Sequence, residues 1–179
     1  MTTWRSIAAF VVVIGVLPFG GRAAAQDSAA AEIIRVRTPN KHISQLLAYG
    51  AERSPTFREL LSRLDRTRWF VFIQRGRCPQ ANGIGCLLHS VLDFEGSPYL
   101  RVLIDDRRLC LRDRQIAVIA HELRHALEVA ESPEVTDTAS LVALFRRIGS
   151  ADVDWFGVTT YETAAALEAG RRVAVELNR

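Results

Sequence analysis

The sequence predicts an α+β domain: a short antiparallel three-stranded sheet packed on one long helix, with further helices before and after it. Three observations lead there. Residues 114–131 (RQIAVIAHELRHALEVAE) put apolar side chains at Ile116, Ile119, Ala120, Leu123, Leu127 and Ala130, the spacing of a helix with one buried stripe. Three segments, 69–74 (WFVFIQ), 86–94 (CLLHSVLDF) and 99–105 (YLRVLID), are dense in aromatic and branched residues and bounded by turn formers. Helical apolar periods recur on either side of them, and no repeat or low-complexity linker divides the chain.

At the N-terminus, Arg5 precedes an apolar run from Ile7 to Leu17 that is too short for a permanent membrane span. Pro18, Gly20 and Gly21 break the run, and Ala23-Ala24-Ala25 offers a cleavage site before Gln26. Residues 1–25 therefore read as a secretory signal peptide, with an uncleaved anchor as the alternative. Residues 26–42 read as a flexible lead-in, and 43–179 as a single domain large enough for a real core. The expected location is exported, periplasmic or extracellular, with no membrane attachment after cleavage. The chain has net charge +3; taking Arg5 and Arg22 from its 23 basic residues, against 20 acidic ones, leaves +1. That balance leaves no basic footprint for nucleic acid. Oligomeric state stays open.

Within the domain, Ile43 to Tyr49 predicts a turn or two of helix, with Gly50 as a break. Ser54-Pro55 starts a second helix, a capping hydroxyl followed by proline at the first position, and Phe57, Leu60, Leu61 and Leu64 form its stripe. The three strands follow, with Glu95-Gly96-Ser97-Pro98 as a turn between the last two and Asp106 to Arg112 as the link to the long helix. Asp113 is the expected cap of that helix and Pro133 its stop. Glu134 to Ile148 predicts another helix, Ser150 to Val158 a loop, and Thr159 or Thr160 the cap of a last helix running to the C-terminus.

Cysteine use fits export. Cys78 and Cys86 flank one loop and are the expected disulfide; Cys110 is left over, to pair with either, stay free or be buried. No CxxC spacing points to zinc at these thiols.

The chemistry concentrates in His121-Glu122-Leu123-Arg124-His125. Two histidines four apart on a helix lie one above the other on one face, and supply half of a tetrahedral zinc site. Glu122 is rotated by about 100° from His121 on an ideal helix, so it flanks the ion as a base. A solvated helix that happens to carry these residues is the competing reading, but the motif sits in an apolar helix, where unpartnered polar groups are costly. Metal-assisted peptide hydrolysis is the reaction this arrangement suggests.

A third ligand is needed, with one position left open. Glu128, seven residues beyond His121 and about 10 Å along a continuous helix, is too far and suits an i+3 partnership with His125. Glu162 is the stronger candidate, expected near the start of the last helix; a plain dipole-complementing carboxylate is the alternative, and Asp152, Asp154 and Glu168 are fallbacks. Tyr161, His89 and Tyr99 are candidates for an oxyanion donor, although a mid-strand His89 is more simply a satisfied structural histidine.

HELRH, a preceding short sheet and a later Glu resemble the zincin metallopeptidases, specifically the gluzincin branch with its His-His-Glu zinc. The chain is also similar to small exported bacterial HExxH proteins of unknown function that share SPTFR, a Cys-bearing strand, HELxHALEVA and (F/Y)ETAAA, motifs spanning roughly residues 54 to 175. The resemblance implies a zincin-like fold, one Zn2+ per chain on His121, His125 and Glu162, Glu122 as general base and a peptide or protein substrate. Ala166 stands where thermolysin-like enzymes carry an Asp four residues after the ligand Glu, so support for the ligands is left unassigned and that substrate preference is not carried over. A catalytically silent zincin-like domain that binds metal or a partner is the alternative function.

Overall fold

A computed structural model describes residues 34–80, 83–154 and 157–179; the expected signal peptide, residues 1–25, lies outside them. The elements run β1 (Val36–Arg37), α1 (Lys41–Arg53), α2 (Pro55–Asp65), β2 (Phe70–Arg75), β3 (Gly85–Leu87), β4 (Leu92–Phe94), β5 (Ser97–Ile104), a 3₁₀ turn (Asp106–Arg108), α3 (Arg112–Ala130), α4 (Thr138–Ile148), β6 (Ser150–Val153), β7 (Thr159–Glu162) and α5 (Ala164–Leu177). The α+β class holds. Among the described residues no helix is long and apolar enough to cross a membrane.

The sheet corrects the expected antiparallel three-stranded meander. It has five strands and is mixed: β1 and β5 flank β2 and both pair with it in parallel, while β3 and β4 pair antiparallel with the far side of β5. Short links predicted that neighbours in sequence would be neighbours in space. That is true of β4 and β5, joined by a tight turn whose Glu95 and Gly96 both have positive φ. It fails for β2, because the loop after Arg75 carries the chain past the slot that β5 later fills. β1 also lies within the segment read as lead-in, so residues 36–42 belong to the fold: Val36 pairs with Val71, and Asn40 caps α1 by accepting from the Ile43 amide at 3.1 Å.

Alternation along β2 and β5 sends Val71, Ile73, Leu100, Val102 and Ile104 to one face, all fully buried beneath α3 residues Ile116, Ile119, Ala120 and Leu123. The opposite face carries Phe70, Phe72, Tyr99 and Arg101, which line an open trough. Helix α1 runs through Gly50 instead of breaking there. Gly50 is buried, and a Cβ on it would stand 2.9 Å from Ile116 Cγ2 and 3.0 Å from Phe57 Cδ1, so glycine is what allows this close approach. Helix α3 begins after Leu111, not Asp113, and no side chain caps it.

Cys78 and Cys86 form the expected disulfide, with Cα atoms 5.9 Å apart, and Cys110 is free and exposed. The bridge closes the loop that leads into β3. By loop-closure entropy its removal through a double Cys→Ser change costs about 2–3 kcal/mol, read as a lower unfolding midpoint in denaturant.

Ser54, the cap of α2, accepts from the Phe57 amide at 3.0 Å and also donates to Glu176 on α5. The Glu176 carboxylate further accepts from the Thr56 amide at 3.1 Å and from Thr56 Oγ1 at 2.7 Å, which ties the last turn of α5 to the first turn of α2. Burial opposes ionisation of Glu176, but the bonds from Ser54 and Thr56 outweigh it and hold the carboxyl below the usual range. A depressed carboxylate stabilises the fold above its unfolded pKa, and the contribution fades as pH falls through the folded value. Glu176→Ala is therefore expected to cost about 1–3 kcal/mol at neutral pH and less in acid, measured by urea unfolding at both.

Candidate metal centre

Helix α3 presents His121 and His125 one turn apart, with ring centroids 4.9 Å from each other. Glu162 comes to them from the end of β7. Its Oε2 lies 3.2 Å from His121 Nε2 and its Oε1 lies 3.5 Å from His125 Nε2. One ligand atom from each of the three lies within 4.8 Å of the others, so this group could hold a metal ion. The helical placement expected for Glu162 is corrected: Ser150 to Val158 is no plain loop but the start of a hairpin, and β7 pairs Glu162 with Ser150. Helix α5 is capped by Thr163, whose hydroxyl accepts from the Ala166 amide at 3.1 Å, in place of Thr159 or Thr160.

Glu128 takes the i+3 partnership. Its Oε2 lies 3.0 Å from His125 Nδ1, and its Oε1 accepts from Thr163 Oγ1 at 2.8 Å. Glu128, His125 and Thr163 are all buried. With Nδ1 held by Glu128, the His125 Nε2 is the nitrogen left to face Glu162. A carboxylate behind a histidine is how ligand orientation and basicity are commonly fixed. Thr163 has no part in the sequence-based expectation; a hydroxyl at the expected start of a helix, directly after a candidate ligand, is the signal that could have found it.

Glu122 is buried and lies against β3, where the Leu87 main-chain N–H donates to its carboxylate. Burial pushes its pKa up, against the pull of His121, His125 and that amide. Gly85 makes room for it: a Cβ there would stand 3.0 Å from Glu122 Oε1 and 2.4 Å from Val118 Cγ1. Burial would lower His125, but its bonds to Glu128 and Glu162 outweigh that and raise it to about 9. Glu162, with 42 % of its side chain exposed, shows the reciprocal shift: burial is outweighed by His121 and His125, and the carboxyl falls to about 2.

His121, Glu122, His125 and Glu162 open into a cavity of about 330 Å³. His89 and Tyr161 line it too. The segment read as one strand from Cys86 to Phe94 is interrupted between β3 and β4, and this break carries His89 out of the ladder and into the cavity wall. Its ring lies 5.4 Å from Phe145 and 5.5 Å from Tyr161. Burial and the neighbouring His125 both lower its pKa, favouring the neutral imidazole. Phe145 on α4 also meets the His125 ring edge-on at 5.5 Å. Tyr99 is not in the site: it packs on Phe72 across the outer face of the sheet, 5.3 Å between centroids. Asp152, Asp154 and Glu168 are not among the residues that line the cavity.

No family model matches the chain, and neither the curated proteins nor the solved structures compared with it gave a match.

Glu128→Gln keeps the shape of the side chain but removes the charge behind His125. Affinity of the cluster for a divalent cation is expected to fall about 10–100-fold, measured by chelator competition at neutral pH, with the fold retained by circular dichroism.

Proposed function

We propose that this chain is an exported zinc-dependent peptidase, with His121, His125 and Glu162 as the metal ligands and Glu122 as the general base. The observation that carries the reading is the convergence of two imidazoles and one carboxylate on a single point, beside a buried glutamate in an open cavity. The donor set fits zinc: two nitrogen ligands and one oxygen, with the cavity side left open. A zinc ion held there supplies Lewis acidity towards a water and a carbonyl oxygen.

The chain's own residues do the rest. Glu122 takes a proton from the attacking water and delivers it to the leaving nitrogen. Its position is fixed by the Leu87 amide and by the space at Gly85. His89 and Tyr161 face the same cavity and supply N–H and O–H donors for a developing oxyanion. Among the described residues strand β3 pairs with β5 alone, and its Gly85, Cys86 and Leu87 border the cavity, so an extended peptide can lie along its outer edge. The signal-like N-terminus and the Cys78–Cys86 disulfide support export, to periplasm or medium.

Elemental analysis of the purified protein is expected to find about one zinc per chain, as a three-ligand site implies, with large losses in His121→Ala and Glu162→Ala. Glu122→Gln should keep the zinc and lose peptide hydrolysis by about 10²–10⁴-fold, the usual contribution of a general base. Zinc without hydrolysis would favour the silent zincin-like domain; a metal-free protein after reconstitution would sink the peptidase reading and leave a partner-binding domain as the alternative.

A further inference from the structure

The candidate centre opens on two sides. Besides the cavity bordered by His89 and Tyr161, a second groove of about 400 Å³ reaches His121 and Glu122 from the direction of α5. The two hollows share Gly85, His121 and Glu122. A chain lying through both would place its middle beside the base.

The two sides differ in chemistry. The first is walled by rings and hydroxyls, including Tyr161, Thr159 and Thr160. The second is floored by small groups, because α5 lies close on α3: a Cβ on Gly170 would stand 3.2 Å from the Ala117 carbonyl oxygen and 3.4 Å from His121 Cβ. Val118 and Leu167 form its apolar walls, and Leu167 is 40 % exposed. Arg171, exposed and one helical turn beyond Leu167, is the cation in this groove. Among the described residues it has no ion pair or hydrogen bond, not even to Glu168 one turn before it.

We propose that this groove is a specificity subsite for an apolar residue next to a carboxylate, with Val118 and Leu167 against the apolar side chain and Arg171 on the carboxylate. A guanidinium without a protein partner, at the end of an apolar channel that begins at the base, suits such a pair. The carboxylate can be an acidic side chain or the C-terminus of the bound peptide. The inference deepens the peptidase reading, but the subsite is testable by binding alone.

The test uses fluorescein-labelled hexapeptides with Glu122→Gln protein, so that nothing is consumed. One pair differs in Leu-Glu against Leu-Gln, and a second differs in a free or amidated C-terminus after Leu. At least one acidic member is expected to bind about tenfold more tightly than its neutral partner, the scale of one charge-assisted contact. Which pair shows the difference assigns the source of the carboxylate. Arg171→Glu should abolish or invert the preference, and Leu167→Asp should weaken every peptide, with zinc content and unfolding midpoint unchanged in both. Equal binding within both pairs, or a preference that survives Arg171→Glu, overturns the subsite. Hydrolysis by the wild type is scored separately: preference without cleavage sinks the peptidase reading and leaves the subsite standing.

Discussion

Two helices are joined through one buried carboxylate. Glu128 on α3 accepts the hydroxyl of Thr163 with one oxygen and meets His125 with the other, and Thr163 is itself the cap that starts α5. A buried carboxylate is tolerable only when its oxygens are satisfied, so α3 and α5 have a single seating in which this happens. That seating also fixes Glu162, because it immediately precedes Thr163. The close packing at Gly170 holds α5 on α3 further along, and the bonds from Ser54 and Thr56 to Glu176 tie the last turn of α5 to α2. The convergence of three ligand-type side chains is thus a by-product of how the core closes.

The electrostatics of the cluster follow from this arrangement. His121, His125 and Glu162 satisfy one another, with the carboxyl pulled down and His125 pushed up, as expected of opposite charges held at short range. Glu122, one residue away on the helix, is turned towards β3 and buried, so it is raised. Two glutamates beside the same histidines are driven in opposite directions by exposure and contact.

Much of this was legible in the sequence. The apolar stripe of α3, the aromatic strand at 69–74, the Cys78–Cys86 pair and the i+3 partnership of Glu128 each depend on local spacing, and each is present. The sheet topology was not, since pairing partners depend on long-range competition for edges: β5 displaced β3 from β2, although β3 comes first in the chain. Glu162 was singled out by type and position, but its strand was hidden because TTYE is short and its partner SADV is wholly exposed, without the alternation that marks a strand. His89 was masked for the opposite reason. It lies inside an apolar run that reads as continuous strand, and only the three-dimensional break between Leu87 and Leu92 turns it towards the cavity.

Glu162 follows His125 by 37 positions, and all of α4 and the first strand of the last hairpin lie between them. Contacts made at both ends turn that stretch into a ring closed without a covalent bond. Closing a loop of this length costs entropy that grows only slowly with its size, and the Thr163–Glu128 bond already holds its ends together. Any cation seated on the three side chains therefore finds the ring preformed, and its binding energy adds to the cohesion of the C-terminal third. Loading with metal and resistance to local opening of that third are, for this chain, one thermodynamic quantity seen from two ends.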